Sequence, residues 1–198
     1  MKSEMVKLEH KGIHFKVARP RLAEIAIAAV FASSLPPVAN VAPAAPSTIP
    51  ALGEYWPGQG GINGGFVAAC GDVPAHYLIL GDKDLGEFKW GRYREESAAT
   101  SKWDGKANTD ALIAAGGHPA AEAARAYTAD GHADFDLPAA AQLYQVWVHG
   151  LITEGVYWSS SQRSAYDAFY MLFDDGGQYY GYGKGYEFRV RPVRRFFI

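Results

Sequence analysis

The residues of this chain that could do chemistry are few and scattered. Cys70 is the one cysteine, so an intrachain disulfide, a cysteine zinc site and a paired redox thiol are all excluded. In the run Val67-Ala68-Ala69-Cys70 it reads as a small buried residue. Of the six histidines, His10, His14, His76, His118, His132 and His149, only the first two are closely spaced. All six read as surface or hydrogen-bonded imidazoles, and no metal is expected. Ser159-Ser160-Ser161 has no nucleophile-elbow context and no assigned base, so it reads as satisfying nearby backbone groups. Gly181-Tyr182-Gly183-Lys184-Gly185 lacks the spacing of a phosphate loop, and no helix signal follows it. Asp174 and Asp175 are not part of a ligand series that would hold calcium.

What does cluster is a recognition set. Seven of the twelve tyrosines fall between residues 157 and 186, interleaved with glycine, aspartate and arginine. Tyrosine gives a large, rigid, amphipathic contact with little rotamer entropy to lose, and glycine lets the neighbouring backbone adapt. Charged side chains add directional hydrogen bonds. Such residues fill a core badly, because every buried hydroxyl needs a partner. The chemistry predicted is therefore binding without turnover and without a cofactor.

The elements that must position this set follow from punctuation and periodicity. Residues 1–35 form an arm, polar and basic up to Arg21 and apolar from Leu22 to Ala32. The apolar part is too short to span a bilayer and contains Glu24. It reads either as a signal-like segment or as a helix that packs on a partner or a neighbouring protomer. Residues 36–50 are rich in proline and alanine and read as a semi-rigid linker. The globular domain is expected over 51–198. Within it, residues 53–62 suit a strand start and a tight turn. Gly65–Ala69 and His76–Leu80 suit two strands joined through Gly71-Asp72 and Pro74. Residues 107–130 carry a helix divided at Gly116-Gly117-His118-Pro119. A second helix starts after Asp136 as its cap, with Leu143, Val146 and Trp147 on one face. The class is α+β: two helices packed on small antiparallel sheets, with Trp56, Trp103, Trp147, Trp158 and the phenylalanines fixing the scaffold. A net charge of -2 leaves no basic excess for phosphates, so nucleic acid is not expected as a partner.

Five segments in order carry a resemblance: Gly53-Glu54-Tyr55-Trp56-Pro57-Gly58-Gln59-Gly60-Gly61, Trp103-Asp104-Gly105-Lys106-Ala107-Asn108-Thr109, Phe135-Asp136-Leu137-Pro138, Tyr157-Trp158-Ser159-Ser160-Ser161 and Arg189-Val190-Arg191-Pro192-Val193-Arg194-Arg195-Phe196. Over about residues 51–196 the chain resembles the DUF1566-type branch of C-type-lectin-like domains, and more narrowly the variable proteins of diversity-generating retroelements. In that family an error-prone copy of a template, mutated at adenines, replaces the C-terminal coding segment.

The resemblance implies a C-type-lectin-like fold with a variable region at about 157–195. Its interchangeable ligand-binding residues would be Arg163, Tyr166, Asp167, Tyr170, Asp174, Asp175, Gly177, Tyr179, Tyr180, Gly181, Tyr182, Gly183, Gly185 and Tyr186. Gln162, Ala165, Ala168, Phe169, Phe173, Gln178 and Lys184 would be a fixed scaffold, with Trp158, Phe169, Phe173 and Phe196 in the core. The family fold implies a basic strand from Arg189 to Arg195 beside the variable strands, its arginines alternating outward. The implied ligand is a protein or glycan epitope on a cell surface. The implied location is a phage tail or a bacterial cell surface, reached through the N-terminal arm, and homo-oligomers would add avidity. The alternatives are a lectin-like adhesive protein that is not diversified, and a formylglycine-generating-enzyme-like enzyme, whose catalytic cysteines this chain lacks.

Overall fold

The computed structural model describes residues 5–10, 13–18 and 49–197. The chain divides into two compact units, Met1–Thr48 and Ile49–Ile198. In the first, β1 (Met5–His10) and β2 (Ile13–Ala18) form an antiparallel hairpin with Met5 opposite Ala18 and His10 opposite Ile13. No strand was expected in this polar, basic part of the arm, but branched or apolar residues alternate with polar ones along both segments, which favours the pairing. The apolar stretch 22–32, and the proline-rich segment as far as residue 48, lie outside the described residues. No helix among the described residues is long and apolar enough to cross a membrane.

The second unit is mixed α+β. One sheet has the strand order β11-β5-β4-β3, built from β3 (Tyr55–Trp56), β4 (Gly61–Val67), β5 (His76–Gly81) and β11 (Val193–Phe196), all antiparallel. The other has the order β6-β10-β7-β8-β9, from β6 (Glu87–Lys89), β7 (Val156–Gln162), β8 (Ala168–Leu172), β9 (Gly177–Tyr179) and β10 (Glu187–Arg189). One pairing departs from the antiparallel expectation. β10 runs parallel to β7, with Arg189 opposite Tyr157, because the loop 180–186 carries the chain from the β9 edge to a slot between β6 and β7.

Three helices pack on these sheets: α1 (Gly105–Ala115), α2 (Pro119–Ala126) and α3 (Ala140–Val148). Asp104 caps α1 by accepting the Ala107 N–H at 2.8 Å. The division of the first helical segment is that read from Gly116 to Pro119: both glycines take positive φ and Pro119 opens α2. The cap expected at Asp136 is not made there. Pro138 drives the preceding residue out of helical geometry, and α3 starts after Ala139, whose N–H donates to Gln142 Oε1 at 2.8 Å. Asp136 instead joins β11 through paired backbone bonds with Val193 and accepts Arg125 Nη2 at 2.6 Å.

Two apolar clusters fill the unit. The first gathers Trp90, Leu112, the α2 alanines, Trp158 and Val190; the second gathers Leu78, Leu80, Leu143, Val146, Met171, Phe173 and Val193. The tryptophan expectation needs correction at Trp103, which is 45 % exposed, and at Trp147, which is half-buried. Trp90, not foreseen, is fully buried beside Trp158. Each of these two indoles donates to the backbone of the other's strand segment, Trp90 to Ser159 and Trp158 to Phe88. Phe169 and Phe196 are half-buried where full burial was expected, and Cys70 is exposed on the turn between β4 and β5.

The C-terminal arginines also depart from expectation. Residues 189–195 are not one strand, because Val190–Pro192 separates β10 in one sheet from β11 in the other. Nor do the arginines all point outward. Arg194 is 6 % exposed and makes a two-pronged contact with Asp134 at 2.9 and 3.3 Å, while also donating to Gln59. Arg195 pairs with Asp104, and Arg191 with Asp84 at 3.7 Å. A guanidinium is buried where a carboxylate from a distant segment meets it, and strand alternation does not override that pairing.

Candidate functional site

Residues 163–186 fold into two tight turns and one long loop around β8 and β9. In the β7–β8 turn the N–H groups of Arg163 and Ser164 both donate to the Asp167 carbonyl. The Ser164 hydroxyl oxygen accepts the Tyr166 and Asp167 N–H groups, each at 3.1 Å. This pins the turn and leaves Tyr166 exposed against Tyr93, the rings meeting edge-on at 5.6 Å. In the β8–β9 turn Asp174 accepts the Gly155 N–H, and Asp175 accepts both the Gly177 N–H at 2.7 Å and the Tyr179 hydroxyl at 2.9 Å. These two aspartates are thus committed to the turn. Among the described residues no group of three or more His, Cys, Asp or Glu could hold a metal ion.

The loop 180–186 is anchored by one residue. The Lys184 side chain is fully buried among polar partners: Nζ donates to Gln162 Oε1 at 2.6 Å and to the Glu95 carbonyl at 2.7 Å, and stands 4.6 Å from the Trp90 ring centre. Its backbone donates to Tyr166 and accepts from Gly91, so the loop is tied to both neighbouring segments. Burial pushes the ammonium down to about 8, against the pull of Glu96, Asp167 and Glu95. Gln162 is itself fixed, accepting the Ser97 N–H at 2.8 Å and donating to the Glu96 carboxylate.

Around this anchor the aromatic residues make a continuous face. Phe188 pairs across strands with Phe88, Trp158 with Tyr170, and Tyr170 with Tyr179. The rings of Phe188 and Trp158 are 4.5 Å apart, which joins the row across all five strands. Tyr182 and Tyr186 come from the loop, lie 5.0 Å from each other and pack against Phe188. A cavity of about 340 Å³ opens between Val156, Tyr170, Leu172, Tyr179 and Tyr182. A second, of about 290 Å³, is lined by Tyr93, Gly183, Gly185 and Tyr186.

The fourteen residues expected at the site do not play one role. Tyr170, Tyr179, Tyr182, Gly183, Gly185 and Tyr186 line the two cavities. Tyr170 is only 6 % exposed and is the floor of its cavity, packed in the first apolar cluster. Tyr180 turns instead to Phe169, under the Arg163 guanidinium at 3.6 Å, and forms a separate cluster. Asp167, Asp174, Asp175 and Gly177 shape the turns. A Cβ at Gly177 would lie 2.2 Å from the Tyr179 ring, whereas Gly181 and Gly185 have open space around them.

Of the expected scaffold, Gln162, Ala168, Phe173 and Lys184 are buried, whereas Ala165 is half-buried and Gln178 exposed. The three serines at 159–161 are buried and bond to backbone or amide groups, Ser159 donating to the Phe169 carbonyl and Ser161 to that of Ser101. Tyr93 was missed by the sequence reading. Its segment, Gly91-Arg92-Tyr93-Arg94, carries the same glycine, arginine and tyrosine mixture as the loop it faces.

No family model matches this chain, and no curated protein sequence matches it.

Proposed function

We propose that the second unit is a ligand-binding domain of C-type-lectin-like fold, of the kind that diversity-generating retroelements mutate, and that it binds without catalysing. One observation carries this reading. Between Trp158 and Tyr186, tyrosines and glycines that face solvent alternate with buried anchors, Trp158, Gln162, Phe173 and Lys184, which hold the backbone under them. A surface built this way can change its side chains while its scaffold stays fixed. Its ligand is a protein or glycan on a cell surface, and the first unit attaches the domain to a phage tail or a cell envelope.

The test is the DNA around the gene. A neighbouring near-copy of the codons for residues 157–195, differing mainly at adenines and lying beside a reverse-transcriptase gene, is expected. The codons for Tyr179, Tyr182, Gly181, Gly185 and Tyr186 should differ between the two copies, and those for Trp158, Gln162, Phe173 and Lys184 should match. A gene flanked by no such copy sinks the diversified reading in favour of a lectin-like adhesive protein with one fixed ligand.

A further inference from the structure

Three of the five side chains lining the 340 Å³ cavity, those of Tyr170, Tyr179 and Tyr182, are phenols. The ring centres of Tyr179 and Tyr182 lie 6.0 and 5.6 Å from that of Tyr170. The face of an aromatic ring is electron-rich and attracts a cation lying within about 6 Å of its centre. The domain uses this attraction four times nearby: Arg163 stands over Tyr180 at 3.6 Å, Lys102 over Phe169 at 4.0 Å, Lys184 over Trp90 at 4.6 Å and Arg94 over Tyr93 at 5.5 Å. Among the described residues no lysine or arginine stands over the three cavity rings.

The charges at the rim point the same way. Asp175 accepts the Tyr179 hydroxyl, which drives electron density into that ring. Asp174 is held at the N–H of Gly155, next to the lining residue Val156. Both carboxylates are exposed. Arg189, which lies against Gly155, is drawn toward Asp84 at 3.9 Å. The other walls, Val156 and Leu172, offer no side-chain acceptor to an N–H. A primary ammonium, strongly hydrated, would have only the phenol oxygens and the rim carboxylates to replace its water, whereas a quaternary nitrogen needs no hydrogen bond and gains from the ring faces alone.

We propose that this cavity is an aromatic cage for a trimethylammonium group of the choline type. The proposal rests on reading the tyrosine face as a ligand-binding surface, and it names the chemistry that one part of that surface takes.

The experiment is calorimetric titration of the full chain with choline and, in parallel, with 3,3-dimethylbutan-1-ol, its uncharged isostere. Choline is expected to bind, and the isostere to bind at least about tenfold more weakly. Tyr182→Leu and Tyr179→Leu should each weaken choline binding about tenfold, Tyr182→Phe should preserve it, and Asp175→Asn should weaken it about threefold. An unchanged melting midpoint in Tyr182→Leu and Tyr179→Leu separates lost binding from lost folding, and Tyr182→Phe, which keeps the ring, is the binding-competent reference. Phosphocholine and Nε-trimethyl-lysine, compared under the same conditions, identify a headgroup or a protein side chain as the better source, and preference for either supports the cage. Equal binding of choline and isostere would make the cavity merely apolar and overturn the proposal. So would no binding of either compound to the folded wild type. Both failures leave the broader ligand-binding reading to be decided by the adenine pattern in the flanking DNA.

Discussion

Two consecutive stretches near the C-terminus look alike in polarity and are used in opposite ways. Residues 179–186 present Tyr179, Tyr180, Tyr182 and Tyr186 to solvent, each more than 40 % exposed. A few residues on, Arg191, Arg194 and Arg195 turn inward, each against an aspartate more than 50 positions away in sequence. Partner availability accounts for the difference. Asp84, Asp104 and Asp134, all earlier in the unit, receive the guanidinium groups. Among those four tyrosine hydroxyls, by contrast, the hydrogen bond seen is that of Tyr179 to the local Asp175. The arginines bolt the end of the chain to its scaffold, and the tyrosines remain open to solvent.

The largest effect is expected at Arg194. Arg194→Ala leaves Asp134 and Gln59 without their donor and removes a buried guanidinium that spans β11, the segment around residue 134 and the β3–β4 turn. Asp134 is itself largely exposed, so the cost falls at the lower end for a broken buried pair, about 3 kcal/mol in urea denaturation. Tyr186→Ala, measured alongside it, should cost less than about 1 kcal/mol, as for an exposed side chain. Equal losses would mean that the tyrosine is structural and the contrast false.

Lys184 is the exception inside the open stretch, a buried cation among exposed tyrosines. Lys184→Ala removes the stem from its place against Trp90 and both Nζ bonds, for a cost of about 2 kcal/mol. The amides of Gly91 and Lys184, which close the loop, should exchange with solvent at least about tenfold faster in that variant. Lys184→Met keeps the stem and removes the titration. With its ammonium pushed down to about 8 from an ordinary 10.5, the folded wild type binds fewer protons than the unfolded chain between those values. Stability therefore rises with pH in that window. The wild type should gain on Lys184→Met from pH 8 to about 10, by at most about 1.4 kcal/mol per pH unit. A flat difference curve would mean that the ammonium is not desolvated as described.

The same contrast explains what could be read from the sequence. The β4–β5 hairpin and the α1–α2 break were legible because glycine and proline punctuate them locally. The exposure of most of these tyrosines was legible as composition, since tyrosine and glycine at that density make a poor core. What was not legible depends on partners far away. Arg194 is buried because Asp134 meets it, and Tyr93 joins the site because Gly91 closes on Lys184. The strand β10 has three residues and gains its place only between β6 and β7, which no local pattern announces. Asp136 looked like a helix cap because the competing Arg125 and Val193 contacts lie outside any short window.

The smallest effects should come from the glycines of the loop, and they decide whether the surface is built for exchange. Gly181 and Gly185 have no neighbour within 4 Å of an added Cβ, and neither carries a positive φ. Replacing either with Tyr, Asp or Ser should shift the unfolding free energy by no more than about 0.5 kcal/mol. Gly183 is tighter, since its Cβ would meet Tyr93 at 3.1 Å, a ring that can rotate away. Gly176, outside the expected set, is the opposite case. It sits at φ +74 with the Trp147 ring 2.2 Å from where a Cβ would go, so Gly176→Ala should cost more than about 2 kcal/mol. A diversified surface requires this ordering, tolerant at 181 and 185 and intolerant at 176, because free exchange is harmless only where the backbone is relaxed and the space is empty. If Gly181→Tyr destabilised the domain as much as Gly176→Ala, the loop would be a packed element and could not serve as an interchangeable face.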